Sequence, residues 1–82
     1  MLTDRKRRQN EIKFGVWEDL PGGGRRYKFT VQGRNGWQAV YIKDVDAFER
    51  TVRFAQEIFN QEGVLVEIHD KYPTDRGHRR IG

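Results

Sequence analysis

Apolar and polar residues alternate along much of this chain, as they do in strands that bury one face and expose the other. The alternation predicts strands near residues 11–18, 25–32, 37–43 and 64–71. Strands joined by short connections usually pair with their neighbours in sequence. The expected fold is therefore mainly β, a small antiparallel sheet of four or five strands in meander order.

The sharpest turn signal is Asn35-Gly36, because both residues tolerate the positive φ of a type I′ hairpin turn. Placing them at the centre of a two-residue turn pairs Phe29 with Ile42 and Val31 with Val40. The apolar face of this register is the expected core, together with two residues of the last strand: Phe29, Val31, Val40, Ile42, Val66 and Ile68. The polar face then carries Lys28, Thr30, Tyr41 and Lys43, with Arg34 and Trp37 near the turn.

Residues 44–63 fit two structures. Asp46 and Glu49 have the spacing of a capping box, and an apolar stripe follows, so a helix over about 46–62 packed on the sheet gives an α+β alternative. The same segment is rich in β-branched and aromatic residues from Thr51 to Phe59, which favours a strand, and Gly63 can close a turn after it.

The chain of 82 residues is short enough for one domain. We expect residues 1–10 to form a flexible basic arm, and residues 11–82 to form a single small domain with a basic C-terminal tail. There is no cysteine, no secretory signal and no apolar stretch long enough to cross a membrane. A cytoplasmic location without membrane association is the expectation, and the sequence does not specify an oligomeric state.

The net charge is +4, and basic residues cluster near both ends, at residues 5–8 and 76–80. Such clusters suit an acidic partner, which could be RNA or an acidic protein. The predicted register places Lys28 opposite Lys43, a repulsion that a phosphate backbone would offset. Aromatic side chains beside them could stack bases. The predicted nucleic-acid-binding residues are Lys28, Trp37, Tyr41, Lys43, Lys71, Arg79 and Arg80.

Catalytic chemistry has few candidates. His69 and His78 are the only histidines, and no fixed ligand spacing surrounds them, so the sequence predicts neither a metal nor another cofactor. Serine and cysteine are both absent, which removes the usual nucleophiles. Histidine can nevertheless act as acid or base near neutral pH. The sequence favours a non-catalytic binding module for RNA. The alternatives are a metal-independent ribonuclease, with His69 and His78 as catalytic candidates, and a protein-interaction adaptor with an open edge strand.

The C-terminal part has a recognisable pattern. Residues 67–73 read Glu-Ile-His-Asp-Lys-Tyr-Pro, and Asp75-Arg76-Gly77-His78 follows. This resembles small uncharacterised bacterial proteins that end in Glu-Ile-His-x-Lys-Tyr-Pro-x-Asp-x-Gly-His. The resemblance implies a hairpin turn at Gly63 and therefore strands in place of the helix, but it implies no activity. Gly77-His78-Arg79-Arg80 is also similar to the end of small mRNA-cleaving toxins of toxin–antitoxin pairs, which implies ribonuclease activity.

Overall fold

The computed structural model describes residues 2–81, which form one helix and one antiparallel sheet of six strands. The helix, α1, spans Leu2–Phe14. The strands follow in meander order: β1 (Val16–Asp19), β2 (Arg25–Gln32), β3 (Gln38–Val45), β4 (Thr51–Phe59), β5 (Leu65–Tyr72) and β6 (His78–Arg80). The mainly β meander is confirmed, but the predicted number of four or five strands is wrong, because the short edge strand β6 adds to the sheet. The two edge strands are short, and β6 comes from the segment that the sequence presents as a basic tail.

Within residues 44–63, for which the sequence allowed a helix or a strand, the structure has the strand β4. The helix alternative over 46–62 is therefore wrong. The residues of the expected capping box lie in the loop before β4, where Asp46 Oδ1 accepts hydrogen bonds from the backbone N–H groups of Phe48 and Arg50. The turn after β4 closes at Gly63, which has a φ of 78°. Pairing with strands on both sides satisfies the backbone of β4, which outweighs its helical periodicity.

The N-terminal prediction differs most from the structure. A helix from Leu2 to Phe14 occupies the place of the expected flexible arm, and the strand expected over 11–18 is confined to β1. This helix is polar on nearly all sides and buries only Asn10 and Phe14, so its sequence lacks an amphipathic stripe. Contacts with distant parts of the chain stabilise it, among them an ion pair of 2.6 Å between Glu11 and Arg25.

The register between β2 and β3 differs by one residue from the prediction. The connecting loop spans residues 33–37, with Gly33 donating to the carbonyl of Trp37 at 2.7 Å, so it is longer than a two-residue turn. Phe29 therefore pairs with Tyr41, and Lys28 pairs with Ile42. Because side chains alternate between faces, a shift of one residue moves every side chain of one strand to the other face.

The sheet consequently has two faces with different composition. We call the side on which α1 packs the helix face; it includes Tyr27, Phe29, Tyr41, Lys43 and Phe54. The opposite side is the outer face; it includes Arg26, Lys28, Ile42, Asp44 and Ala55.

The core is smaller than predicted and lies partly elsewhere. Phe14 of α1 packs against Tyr27 and Val45, with Phe54 beside them. Of the six predicted core residues, Ile42 is buried, and Val40, Val66 and Ile68 are half-buried. Phe29 and Val31 are 47% and 41% exposed, so their assignment to the core is wrong. The cause is the register, which turns both residues to the helix face, where Phe14 of α1 covers Tyr27 and leaves Phe29 and Val31 partly exposed. No helix within residues 2–81 has the length and apolar character needed to span a membrane.

Candidate nucleic-acid interface

A groove lies on the helix face beside the C-terminal end of α1. One part of it, a cavity of about 350 Å³, is lined by Lys13 and by the rings of Phe14, Phe29, Tyr41 and Phe54. A second cavity of about 470 Å³ shares three of those residues and is also lined by Lys43. Each volume falls within the range of small-ligand sites. We call these two cavities together the aromatic groove.

The pairing of the strands positions the rings of the groove. Phe29 and Tyr41 are cross-strand partners, and the ring of Phe54 on the next strand lies 6.4 Å from that of Tyr41 in a stacked arrangement. Gln56 donates a hydrogen bond of 3.2 Å to the Tyr41 hydroxyl, which fixes that ring. Because α1 contacts mainly β1 and β2, it leaves this part of the helix face open.

Three lysines surround the rings. Lys71 Nζ lies 5.1 Å from the ring centroid of Tyr41 and 5.7 Å from that of Phe54. Lys13 and Lys43 lie 5.7 Å and 6.0 Å from the ring of Phe14. These are cation–π distances. Among the ion pairs of residues 2–81, none joins any of these three lysines to a carboxylate. The groove is therefore both aromatic and positively charged.

Lys43 is the most constrained of the three lysines. Its ammonium donates a hydrogen bond of 3.1 Å to Asn10 Oδ1 of the helix. Partial burial lowers the pKa of Lys43, and the positive charge of Lys13 lowers it further, while Glu49 acts in the opposite direction. An anion bound near both ammonium groups would offset this repulsion.

A buried carboxylate attaches the helix to the sheet and so holds one wall of the groove. Glu49 accepts hydrogen bonds from Arg7 Nε at 2.8 Å, from Asn10 Nδ2 at 3.0 Å and from the Tyr27 hydroxyl. Burial alone would raise the pKa of Glu49, but these hydrogen bonds, that of Tyr27 first, lower it below its usual value. Burial and the neighbouring carboxylate raise the pKa of Tyr27 to about 12. Glu49 also has a φ of 65°, an uncommon conformation for this residue type.

The outer face is charged, but its arginines are paired with carboxylates. Arg26 forms a bidentate pair with Asp44, at 2.8 and 3.1 Å. Arg53 and Arg79 both donate to Asp70, the first at 3.2 Å. Each of these arginines thus has a carboxylate partner, which Arg53 and Arg79 share.

The structure divides the predicted binding residues between different surfaces. Tyr41, Lys43 and Lys71 meet at the aromatic groove. Arg80 is a cross-strand partner of Glu67 near the far edge of the helix face, and Trp37 lies in the loop between β2 and β3. The remaining two lie on the outer face, away from the groove: Lys28 and Arg79.

The prediction that Lys28 and Lys43 are cross-strand partners is also wrong. Lys28 faces Ile42, and Lys43 faces Tyr27, because of the one-residue difference in register. Sequence reasoning missed Lys13 and the two phenylalanines of the open groove, Phe29 and Phe54. A correct register would have placed Phe29 beside Tyr41. No local signal marks Lys13, since its position depends on how α1 packs.

The two histidines, nine residues apart in sequence, are cross-strand partners on β5 and β6, with ring centroids 4.4 Å apart. Each ring has a nitrogen 2.6 Å from a carboxylate oxygen. In His69 it is Nε2, beside Asp75, and in His78 it is Nδ1, beside Glu67. A hydrogen bond from the backbone of Gly77, and then that from His69, lower the pKa of Asp75. Within residues 2–81, no three histidine or acidic side chains are grouped as metal ligands.

Comparison with known proteins does not assign a function. No known family, no curated protein and no solved structure matches this chain. The function has to be inferred from the chemistry of the aromatic groove and of the histidine pair.

Proposed function

We propose that this protein binds single-stranded RNA in the aromatic groove. The observation that carries the proposal is the group of three lysines that lie over aromatic rings without a carboxylate partner among residues 2–81. Proteins that bind single strands combine such cations, which contact phosphates, with aromatic rings on which bases stack.

Single strands fit the groove better than a duplex does. Stacking on Phe29 and Tyr41 requires bases whose faces are free, and those of a duplex are already stacked on one another. The unpaired lysines likewise favour a polyanion over an apolar peptide. The net charge of +4 has the sign that attracts RNA at long range.

Salt dependence is the first test. The fluorescence anisotropy of a labelled, unstructured RNA oligonucleotide, titrated with the protein at several salt concentrations, gives the affinity and its salt slope. Three phosphate contacts correspond to a slope of about −2 in a plot of log affinity against log salt for a single strand. An affinity independent of salt would contradict the proposal.

A matched pair of lysine variants tests the location of the site. Lys71→Gln removes a cation from the groove, so we expect the slope to become shallower by about 0.7. Lys28→Gln makes the same chemical change on the outer face, and we expect it to leave both slope and affinity nearly unchanged. Equal effects of the two substitutions would show that charge, and not the groove, determines binding.

Phe29→Ala tests the stacking. Loss of one stacking platform should weaken binding by about 1–3 kcal/mol at every salt concentration without changing the slope. Val52→Ala is the control, because it removes an exposed apolar side chain of β4 that does not line the groove. Unchanged affinity in the Phe29 variant would mean that bases do not stack at this position.

A further inference from the structure

The histidine pair and the rings of the groove lie in one row across the sheet. In antiparallel pairing, directly opposed residues project from the same face. Successive partners across five strands form this row on the helix face: Phe29, Tyr41, Gln56, His69 and His78. With neighbouring strands about 4.8 Å apart, Tyr41 and His78 are about 14 Å from each other. An RNA strand stacked on Tyr41 and continuing across the sheet therefore reaches the histidines.

The two histidines differ in what they can offer a ligand. The Nε2 atom of His69 forms a hydrogen bond with Asp75, and its Nδ1 atom is buried. His78 has only its Nδ1 engaged, by Glu67, and its side chain is 47% exposed. A carboxylate that accepts a hydrogen bond from Nδ1–H favours the tautomer that carries its proton on Nδ1. In that tautomer Nε2 has a free lone pair and can act as a base. Each histidine thus has one ring nitrogen without a hydrogen-bond partner among residues 2–81, but that of His69 is buried, so His78 is the one whose basic nitrogen a ligand can reach.

We propose that His78 is the general base of a metal-independent cleavage of RNA held across the helix face, an inference that rests on the RNA binding proposed above. His78 Nε2 takes the proton of a ribose 2′-hydroxyl, and the 2′-oxygen forms a bond to the adjacent phosphorus. The bond from phosphorus to the 5′-oxygen breaks, and that oxygen takes a proton from water. The products are a 2′,3′-cyclic phosphate and a 5′-hydroxyl, and His78 returns its proton to the solvent.

Neighbouring residues have supporting roles. Glu67 is a positioning residue, because it holds the ring of His78 and stabilises the imidazolium that forms. His69 lies against that ring and is itself held by Asp75. Arg80 follows two residues after His78 on the same face, where a guanidinium can offset the charge that develops on the phosphate.

The experiment uses the full chain with EDTA present. One substrate is a labelled, unstructured RNA oligonucleotide, and the other is the same sequence with 2′-O-methyl groups, which removes the attacking hydroxyl. We expect cleavage of the first, with 2′,3′-cyclic phosphate ends visible by mass spectrometry, and binding without cleavage of the second. His78→Gln should lower the cleavage rate by about 100-fold or more. It should still bind the 2′-O-methyl strand, which shows that the domain is folded.

Arg76→Gln, purified in the same way, is the matched control. It removes a cation from the loop before β6 without touching the histidine row, so its cleavage rate should equal that of the parent. Equal rates in the parent and in His78→Gln would point to a contaminating nuclease and overturn the inference.

Glu67→Gln separates a positioning role from a merely structural one. The charged groups around His78 are Glu67 on β5, Asp75 with His69, and Arg80 on its own strand. An amide at residue 67 can donate its own N–H to Nδ1 and so no longer selects the tautomer with a basic Nε2. The cleavage rate of the bound strand should therefore fall, while the affinity for the 2′-O-methyl strand stays that of the parent. Equal losses of cleavage and of binding would contradict the positioning role.

The outcomes distinguish this inference from the binding on which it rests. If the parent protein binds both strands but cleaves neither, RNA binding stands and the catalytic inference is wrong. If it binds neither strand and cleaves neither, both are wrong.

Discussion

The arginines of the outer face and the lysines of the aromatic groove are held in different ways. On the outer face, arginines lie against carboxylates, with Arg26 on Asp44 and Arg53 on Asp70. On the helix face, lysines such as Lys71 lie over aromatic rings and have no carboxylate partner among residues 2–81. The number of cations therefore says little about binding, since only the charge that the protein does not neutralise itself is available to a ligand.

The contrast follows from the chemistry of the two side chains. A guanidinium forms two parallel hydrogen bonds to one carboxylate, a geometry that suits a fixed pair on a sheet. An ammonium is a compact point charge on a flexible stem, so it can contact a phosphate in many orientations. The buried cluster around Glu49 completes the helix face, because it holds the helix that forms one wall of the groove.

Removal of the buried carboxylate should have the largest effect on stability. Glu49→Ala leaves Arg7 and the Tyr27 hydroxyl without their acceptor, and we expect a loss of about 3–5 kcal/mol in the free energy of unfolding. Glu62→Ala, in an exposed turn, should change it by less than about 0.5 kcal/mol. Urea denaturation measures both. A loss below about 1 kcal/mol for Glu49→Ala would show that this cluster does not anchor α1.

The next prediction concerns two apolar residues on opposite faces. Ile42 is 5% exposed on the outer face, so Ile42→Ala should cost about 2–5 kcal/mol of stability. Phe29 is a larger residue on the helix face, but Phe29→Ala should cost less than about 1 kcal/mol because the ring is half-exposed. The reverse order in urea denaturation would mean that the register and the assignment of the faces are wrong.

The pKa of Tyr27 can be measured directly. Its phenol should ionise at about pH 12, and the ultraviolet absorbance of phenolate reports this step. The native state favours the neutral phenol, so its contribution to stability is complete below about pH 10 and is lost as the pH rises to about 12, a loss of about 2–3 kcal/mol. Tyr27→Phe should remove the late step, whereas Tyr72→Phe should leave it. Three tyrosines that all titrate together near pH 10 would contradict a buried Tyr27.

The smallest effects compare two ion pairs of arginine. Arg26→Gln leaves the buried Asp44 without its bidentate partner, and we expect a loss of about 1–3 kcal/mol. Arg50→Gln removes an exposed pair with Asp46, which solvent screens, and should change the stability much less. Thermal unfolding of the two variants tests the difference. Equal losses would mean that the outer face gains no more from its paired arginines than an exposed loop does.

Local patterns predicted the central strands well. The strand expected over residues 25–32 coincides with β2, and the one expected over 64–71 is displaced from β5 by a single residue. Alternation of apolar and polar residues is a local property, so it can be detected without any knowledge of the fold. Tyr41, Lys43 and Lys71 of the groove were predicted for the same reason, as aromatic and basic residues on strands.

By itself, the sequence determined the class of fold, most of the strands and the excess of basic residues. Only the tertiary structure decided which residues share a face, because one added loop residue between β2 and β3 reverses that choice and no alternation pattern records loop length. It also decided that Leu2–Phe14 is a helix, since this polar segment gains its stability from the distant Glu49 and Arg25. The pairing of His69 with His78 depends on the same long-range order, because it requires β6 to return along β5.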